Sequence, residues 1–130
     1  MTQNAQRPDA GKVEKLITFL YYKDLPQAMR FYEEVLGFTV AIDQGWCKIY
    51  GVSADGYVGL VDETRGMHKA HPVKPVQICM RVSDVDAWHA YLKGLDVEGL
   101  TEPRSSRELR IRAFVCYDPE GYQIEIQSAL

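Results

Sequence analysis

Glu125 lies in the run Tyr122-Gln123-Ile124-Glu125-Ile126-Gln127, where strand alternation sets it on the opposite side from its isoleucine neighbours. A carboxylate so placed suits a general base acting on a carbon acid or enolisable substrate, with Arg81 or Arg112 stabilising the oxyanion that forms. The same groups also suit a purely structural Glu–Arg pair, and both readings stay open. Cys79 lies in the strand-like run Val76-Gln77-Ile78-Cys79-Met80-Arg81-Val82. No histidine or helix N-terminus is implied beside it, so inert packing is expected rather than nucleophilic attack. His68 and His71 are three apart without a helical pattern or acids at ligand spacing, and metal binding is not expected of them. Arg104, Arg107, Arg110 and Arg112 form a basic cluster. Arg104 and Arg107, beside Ser105, Ser106 and Glu108, read as a solvated loop, whereas Arg112 lies within a strand. The chain has no glycine-rich phosphate loop, no Gly-x-Ser-x-Gly, and no Ser or Cys with a recognisable base.

Whatever these residues do, one domain must position them: 130 residues, 46% hydrophobic and 25% charged, suffice for one core and not for two ordinary domains. Fifteen Lys and Arg against eighteen Asp and Glu leave a net charge of −3, which argues against nucleic acid and anionic lipid as partners. No apolar run reaches the ~18 residues of a membrane span, and Met1–Pro8 lacks a signal peptide's hydrophobic stretch, so a cytoplasmic protein is expected. Cys47, Cys79 and Cys116 are odd in number and widely spaced, which suits buried free thiols in a reducing compartment.

The elements come in one order, twice. Residues 1–12 read as a flexible tail. Leu16–Tyr22 is a strand; Asp24, with Gln27 three positions on and Pro26 in the first turn, caps a helix of about three turns that Gly37 closes. Strands follow at Phe38–Ile42, Trp46–Tyr50 and Tyr57–Asp62, separated by turn clusters. Then Val76–Val82 is a strand and Asp84 caps a helix ending at Gly94. Val97–Thr101, Arg110–Tyr117 and Tyr122–Gln127 supply three more strands. The first strands and helix caps of the two halves repeat in register, while the last strands match with Leu60 opposite Glu125. The division is a module at 13–62, a linker at 63–75 and a second module at 76–130.

The segments Asp24-Leu25-Pro26-Gln27-Ala28-Met29-Arg30-Phe31-Tyr32-Glu33-Glu34-Val35-Leu36-Gly37-Phe38 and Asp118-Pro119-Glu120-Gly121-Tyr122-Gln123-Ile124-Glu125 carry a resemblance. They are similar to two signatures of the vicinal oxygen chelate superfamily, which includes glyoxalase I, extradiol dioxygenases and bleomycin-resistance proteins. The resemblance implies an α+β fold of two βαβββ modules forming a U-shaped mixed sheet with helices on the convex side. It also implies a homodimer and a ligand cavity on the concave side. It does not by itself imply a common reaction.

Metal-dependent members hold a divalent ion with four side chains, from the first and last strands of each module. Carried over by register, those positions are Ile17, Leu60, Gln77 and Glu125, of which two cannot donate. No metal or other cofactor is therefore expected, and glyoxalase I and extradiol activities, which use the metal to polarise substrate, are disfavoured.

Alternation then furnishes the cavity. A simple two-residue turn at Asp118–Gly121 would set Phe114 opposite Glu125 and Arg112 opposite Gln127, with Ile111, Ala113, Val115, Ile124 and Ile126 toward the helices. Gln77, Cys79 and Arg81 join the cavity side. From the first module come Ile17, Phe19, Tyr21, Trp46, Lys48, Tyr50, Val58 and Leu60. The expected ligand contacts are thus Phe19, Tyr21, Trp46, Lys48, Tyr50, Gln77, Arg81, Arg112, Phe114 and Glu125, with Arg groups compensating the carboxylate. An aromatic half facing a polar half suits a small organic molecule with a planar or greasy body and a polar or anionic end. Three functions follow as expectations: a metal-independent binding protein, a lyase or isomerase using Glu125 as base, either metal-free or with a degenerate divalent-metal site, and a dimeric interaction module without ligand.

Overall fold

The computed structural model describes residues 5–130, so the start of the expected tail lies outside the described residues, and Ala10–Lys12 forms a short 3-10 turn rather than a featureless tail. Strand β1 (Leu16–Tyr22) leads into helix α1 (Leu25–Arg30), whose N-cap Asp24 accepts the Gln27 N–H as the sequence predicts. The helix then widens into one π-helical stretch, Phe31–Val35, where the Leu36 N–H reaches back to the Phe31 carbonyl. Strands β2 (Thr39–Asp43), β3 (Cys47–Gly51) and β4 (Gly56–Asp62) complete the first module. The second repeats it with β5 (Gln77–Arg81), α2 (Val85–Lys93, capped by Asp84), β6 (Arg104–Ser106), β7 (Ile111–Tyr117) and β8 (Gln123–Ala129). Each module is a four-stranded mixed sheet, ordered β1-β4-β3-β2 and β5-β8-β7-β6, in which only the first and last strands run parallel. This is the α+β arrangement of two βαβββ units. Among the described residues, no helix is long and apolar enough to cross a membrane.

One expected strand is displaced. Val97–Thr101 makes only an isolated bridge, Glu98 to Tyr117, and the edge strand forms at Arg104–Ser106 instead. Gly99 takes a positive φ of 62° with the Tyr117 ring packed where its Cβ would be, which turns the chain out of the ladder. Thr101 returns with its side chain: its hydroxyl oxygen accepts the Val115 N–H at 2.9 Å.

The expected pairing of β7 with β8 is wrong by one residue. Asp118 and Tyr122 close a three-residue loop, with the Asp118 N–H on the Tyr122 carbonyl and Gly121 at φ 91°. Val115, not Phe114, therefore opposes Glu125, and Ala113, not Arg112, opposes Gln127. Because side chains alternate, that single step turns every β7 residue to the other face. Ile111, Ala113 and Val115 leave the helix side, and Arg112, Phe114 and Cys116 take it.

The helix sides of both sheets share a single core that includes Leu20, Tyr22, Leu60, Phe114, Ile124 and Ile126. A fully buried carboxylate sits at the junction. Asp118 Oδ2 accepts the hydroxyls of Tyr22 (2.6 Å) and Tyr32 (2.9 Å) from the first module, while Oδ1 accepts the N–H groups of Glu120 and Tyr122, both at 2.9 Å. Glu120 on the same loop accepts the N–H groups of Lys23 (2.9 Å) and Asp24 (2.7 Å) at the entry to α1. One turn of the second module thereby holds the first module's strand-to-helix corner.

Asp118→Ala strips four donors of their acceptor, and chemical denaturation is expected to show a loss on the order of 3 kcal/mol, against about 1 kcal/mol for Glu120→Ala at the exposed rim. Burial also pushes the Asp118 carboxyl above its ordinary range. Such a group holds its proton more tightly folded than unfolded, so its contribution to stability falls as pH rises from about 4 through the raised folded value. Across that window urea titrations are expected to show the margin of the native protein over Asp118→Asn narrowing.

Candidate functional site

Each sheet has a second face, turned away from the shared core. In the first module β1 and β4 pair Ile17 with Tyr57, Phe19 with Gly59 and Tyr21 with Val61, and β3 adds Cys47, Ile49 and Gly51 to that side. Ile17, Phe19 and Tyr21 thus stand where the sequence places them. Val58, Leu60 and Tyr50 do not: they lie in the shared core, and the Tyr50 hydroxyl donates to Glu33 at 2.7 Å. Lys48 pairs with Leu60, shares its side and is held by Asp43. These four expected cavity positions are corrected because β4 is apolar on both faces from Tyr57 to Val61, so hydrophobicity alone cannot fix which face is buried, and Lys48 and Tyr50 on β3 follow their partners Leu60 and Val58. Trp46 precedes β3 at the rim, its ring 5.9 Å from the Arg65 guanidinium carbon.

In the second module the open face is polar. Gln77, Cys79 and Arg81 on β5 pair with Gln123, Glu125 and Gln127 on β8. The Gln77 amide donates to Gln123, and Gln123 in turn donates to the Tyr117 hydroxyl at 2.9 Å. Arg81 donates to Gln127 Oε1 at 2.6 Å, and the Gln127 amide donates to Glu125 Oε2. The Cys79 sulfur lies 3.9 Å from the same carboxylate oxygen. Burial and the Glu125 charge push the Cys79 thiol above its ordinary pKa, which leaves it a weak nucleophile at neutral pH.

The arginine compensation expected for Glu125 is replaced by an amide relay: Gln127 stands between the carboxylate and Arg81. Arg112 has turned to the helix side, where it grips Asp86 of α2 through Nε (3.1 Å) and Nη2 (2.9 Å) and also reaches Ser105. It holds the Asp86 carboxyl below the ordinary range. Phe114 is buried there too, edge-on to the His89 ring at 5.2 Å. Both are therefore removed from the expected ligand contacts, for the reason given by the β7–β8 turn. His68 packs edge-on against Tyr21 and His71 Nδ1 accepts the Val73 N–H, so the two histidines are engaged separately.

The pairing also corrects one of the four metal positions. Glu125 is level with Cys79, and the equivalent place beside Phe19 is Gly59, not Leu60. A side chain there would meet the Phe19 ring, which comes within 2.5 Å of where a Cβ would stand. Ile17 and Gly59 offer no donor, leaving Gln77 and Glu125, and this set does not fit a four-ligand divalent ion. Among the described residues no three His, Cys, Asp or Glu side chains converge as a metal site would need.

Between the modules a cleft of about 300 Å³ opens where β5 passes the start of β4, lined by Ser53, Tyr57, Val76, Gln77 and Cys79 together with helix-side residues such as Val58 and Met80. It joins a ring from the apolar face to an amide and a thiol from the polar one. Tyr57 and Ser53 were not foreseen; the one-residue offset in the last strands hid Tyr57 on the wrong face.

A sequence model of the Glyoxalase/Bleomycin resistance protein/Dioxygenase superfamily matches residues 15–126. No curated protein matches the chain. Among solved structures the chain is similar to a lactoylglutathione lyase from Agrobacterium tumefaciens, with 19% identity, TM-score 0.70, and coverage of 87% of this chain and 91% of that one. It is also similar to FosX, a fosfomycin resistance protein from Listeria monocytogenes, at 16% identity and TM-score 0.70, covering 88% and 92% of the two chains. TioX from Micromonospora sp. ML1 matches at 19% identity and TM-score 0.71, over 89% and 98%. At these identities the likenesses establish the fold and leave the reaction open. The duplicated βαβββ architecture, the two signature segments and the family match agree: the chain belongs to the glyoxalase/bleomycin resistance protein/dioxygenase superfamily.

Proposed function

We propose that the protein binds a small organic molecule without a metal, at the inter-module cleft and the open faces beside it. The observation that carries this is the substitution of chemistry on the open face: Phe19 packs over Gly59 where a metal-dependent relative would present a ligand, and the partner positions hold an amide ladder. A ring-bearing ligand can lie against Phe19 and Tyr57 while its polar end meets Gln77, Glu125, Gln127 and Arg81. With Arg112 withdrawn, the polar end meets a carboxylate and amides as well as one guanidinium, so hydrogen-bond donors on the ligand are favoured alongside an anionic group.

A homodimer acting in the cytoplasm is part of the same reading. The helix sides of the two modules are joined in one core and leave both open faces outside it, where a second copy can close over them. The free cysteines suit a reducing compartment.

A lyase or isomerase is the second reading, favoured by Glu125 itself: its Oε2 is held by Gln127 while no Lys or Arg among the described residues pairs with it directly. A carboxylate oriented in this way can take a proton from a bound carbon acid, and the Gln127–Arg81 relay would stabilise the charge that develops.

Calorimetric titration against a panel of aromatic amphiphiles is expected to give binding whose affinity survives exhaustive chelation within about twofold, and Phe19→Ala is expected to weaken it about tenfold. Loss of binding on chelation, restored by a divalent ion, would overturn the metal-free reading. Glu125→Gln separates the two functions. A binding protein is expected to keep its ligand, whereas an enzyme loses its turnover with an unchanged melting temperature.

A further inference from the structure

The open face of the first module carries its own small apolar cluster, in which Cys47, Ile49 and Val61 are almost completely buried, with Ile17, Tyr21 and Tyr57 packed beside them. Burial on a face turned away from the main core requires a cover. Over Val61 and Tyr21 it is supplied by the chain leaving β4. The Gly66 backbone lies so close to Val61 and Tyr21 that a Cβ would come within 2.6 Å of the first and 2.8 Å of the second. His68 adds an edge-on contact to Tyr21, and Arg65 reaches over Trp46.

The root of this segment is tied to the sheet, with the Asp62 N–H donating to the Trp46 carbonyl at 2.8 Å and the Glu63 N–H to the Tyr22 carbonyl at 3.0 Å; beyond it the hydrogen bonds are internal. Asp62 accepts the Thr64 N–H and hydroxyl with its side chain and the Arg65 and Gly66 N–H groups with its carbonyl. Glu63 accepts the Ala70 N–H at 3.0 Å, and Lys69 donates to the Glu63 carbonyl at 2.7 Å. Met67, the largest apolar side chain of the segment, points away and is 91% exposed. Beyond its root the segment is thus a self-bonded loop that meets the sheet through a glycine and two ring contacts, and its own side chains bury little apolar area.

We propose that residues 64–70 form a strap that opens as a unit on the anchored root at Asp62 and Glu63, and that its opening exposes an apolar pocket floored by Tyr21, Cys47, Ile49 and Val61, which takes the flat hydrophobic portion of a ligand. This rests on the small-molecule reading above and adds a gate to it. The main core is untouched by the movement, because beyond the root bond from the Glu63 N–H to the Tyr22 carbonyl the strap's contacts are to Trp46 and the satellite cluster.

Two variants test the gate. Gly66→Val pushes the strap off the sheet sterically, and Glu63→Ala removes the acceptor that ties down Ala70. Maleimide labelling read by peptide mass spectrometry is expected to show Cys47 reacting at least tenfold faster in each, with Cys116, in the main core, still protected and exposed Cys79 labelled throughout. Binding of anilinonaphthalene sulfonate is expected to strengthen in parallel. Cys47 labelling unchanged in both variants, or accelerated only together with Cys116, would overturn the strap. The labelling needs no ligand, so failure of the binding reading, seen as an empty ligand panel with a labile Cys47, is distinguishable from failure of the gate.

Discussion

The burial of one carboxylate organises this molecule. Asp118 collects two tyrosine hydroxyls from the first module and two backbone N–H groups from its own loop, so a group that would be costly to bury alone becomes the meeting point of both halves. The consequences spread in two directions. Toward the first module, the loop's Glu120 fixes the entry to α1. Toward the second, the same bonds define a three-residue turn, and the turn sets which residues of β7 face the helices.

Much of the architecture was legible in the sequence because its signals are local. The capping aspartates at 24 and 84, Pro26 and the first-strand alternation all appear as read, and the duplicated order of elements follows from them. Within the site, Ile17, Phe19, Tyr21, Gln77, Cys79, Arg81 and Glu125 lie on open faces as expected. What failed was register. A loop of Asp-Pro-Glu-Gly can be closed with two central residues or three, and the choice is made by Asp118's buried partners on β1 and the π-helical stretch, which composition does not reveal. From that single step Arg112 and Phe114 exchange faces with Ala113 and Val115. Tyr50 and Lys48 were misplaced for a different reason: in a strand flanked by apolar residues on both faces, burial does not choose a side, whereas pairing does. The π-helical widening after Arg30 left no mark at all in the spacing of Leu25, Ala28 and Tyr32.

The two open faces differ in chemistry. One is rings and aliphatics, sealed in part by a glycine; the other is a row of amides around a carboxylate and a guanidinium. The shared core needs none of these groups, and that separation lets the fold keep its stability while the faces change. Tyr91 illustrates the division on the other side of the molecule: its hydroxyl donates to the Val35 carbonyl at 2.7 Å, at the end of the π-helical stretch, and so couples the two helices without reaching either face.

Gly59 beneath Phe19 works as a ratchet. Installing a carboxylate at residue 59 would drive it into an aromatic ring, while shrinking the ring first would bare a hole in the sheet with nothing yet to fill it. Ile17 offers no donor either, so no single substitution gives this face the set of ligands a divalent ion needs.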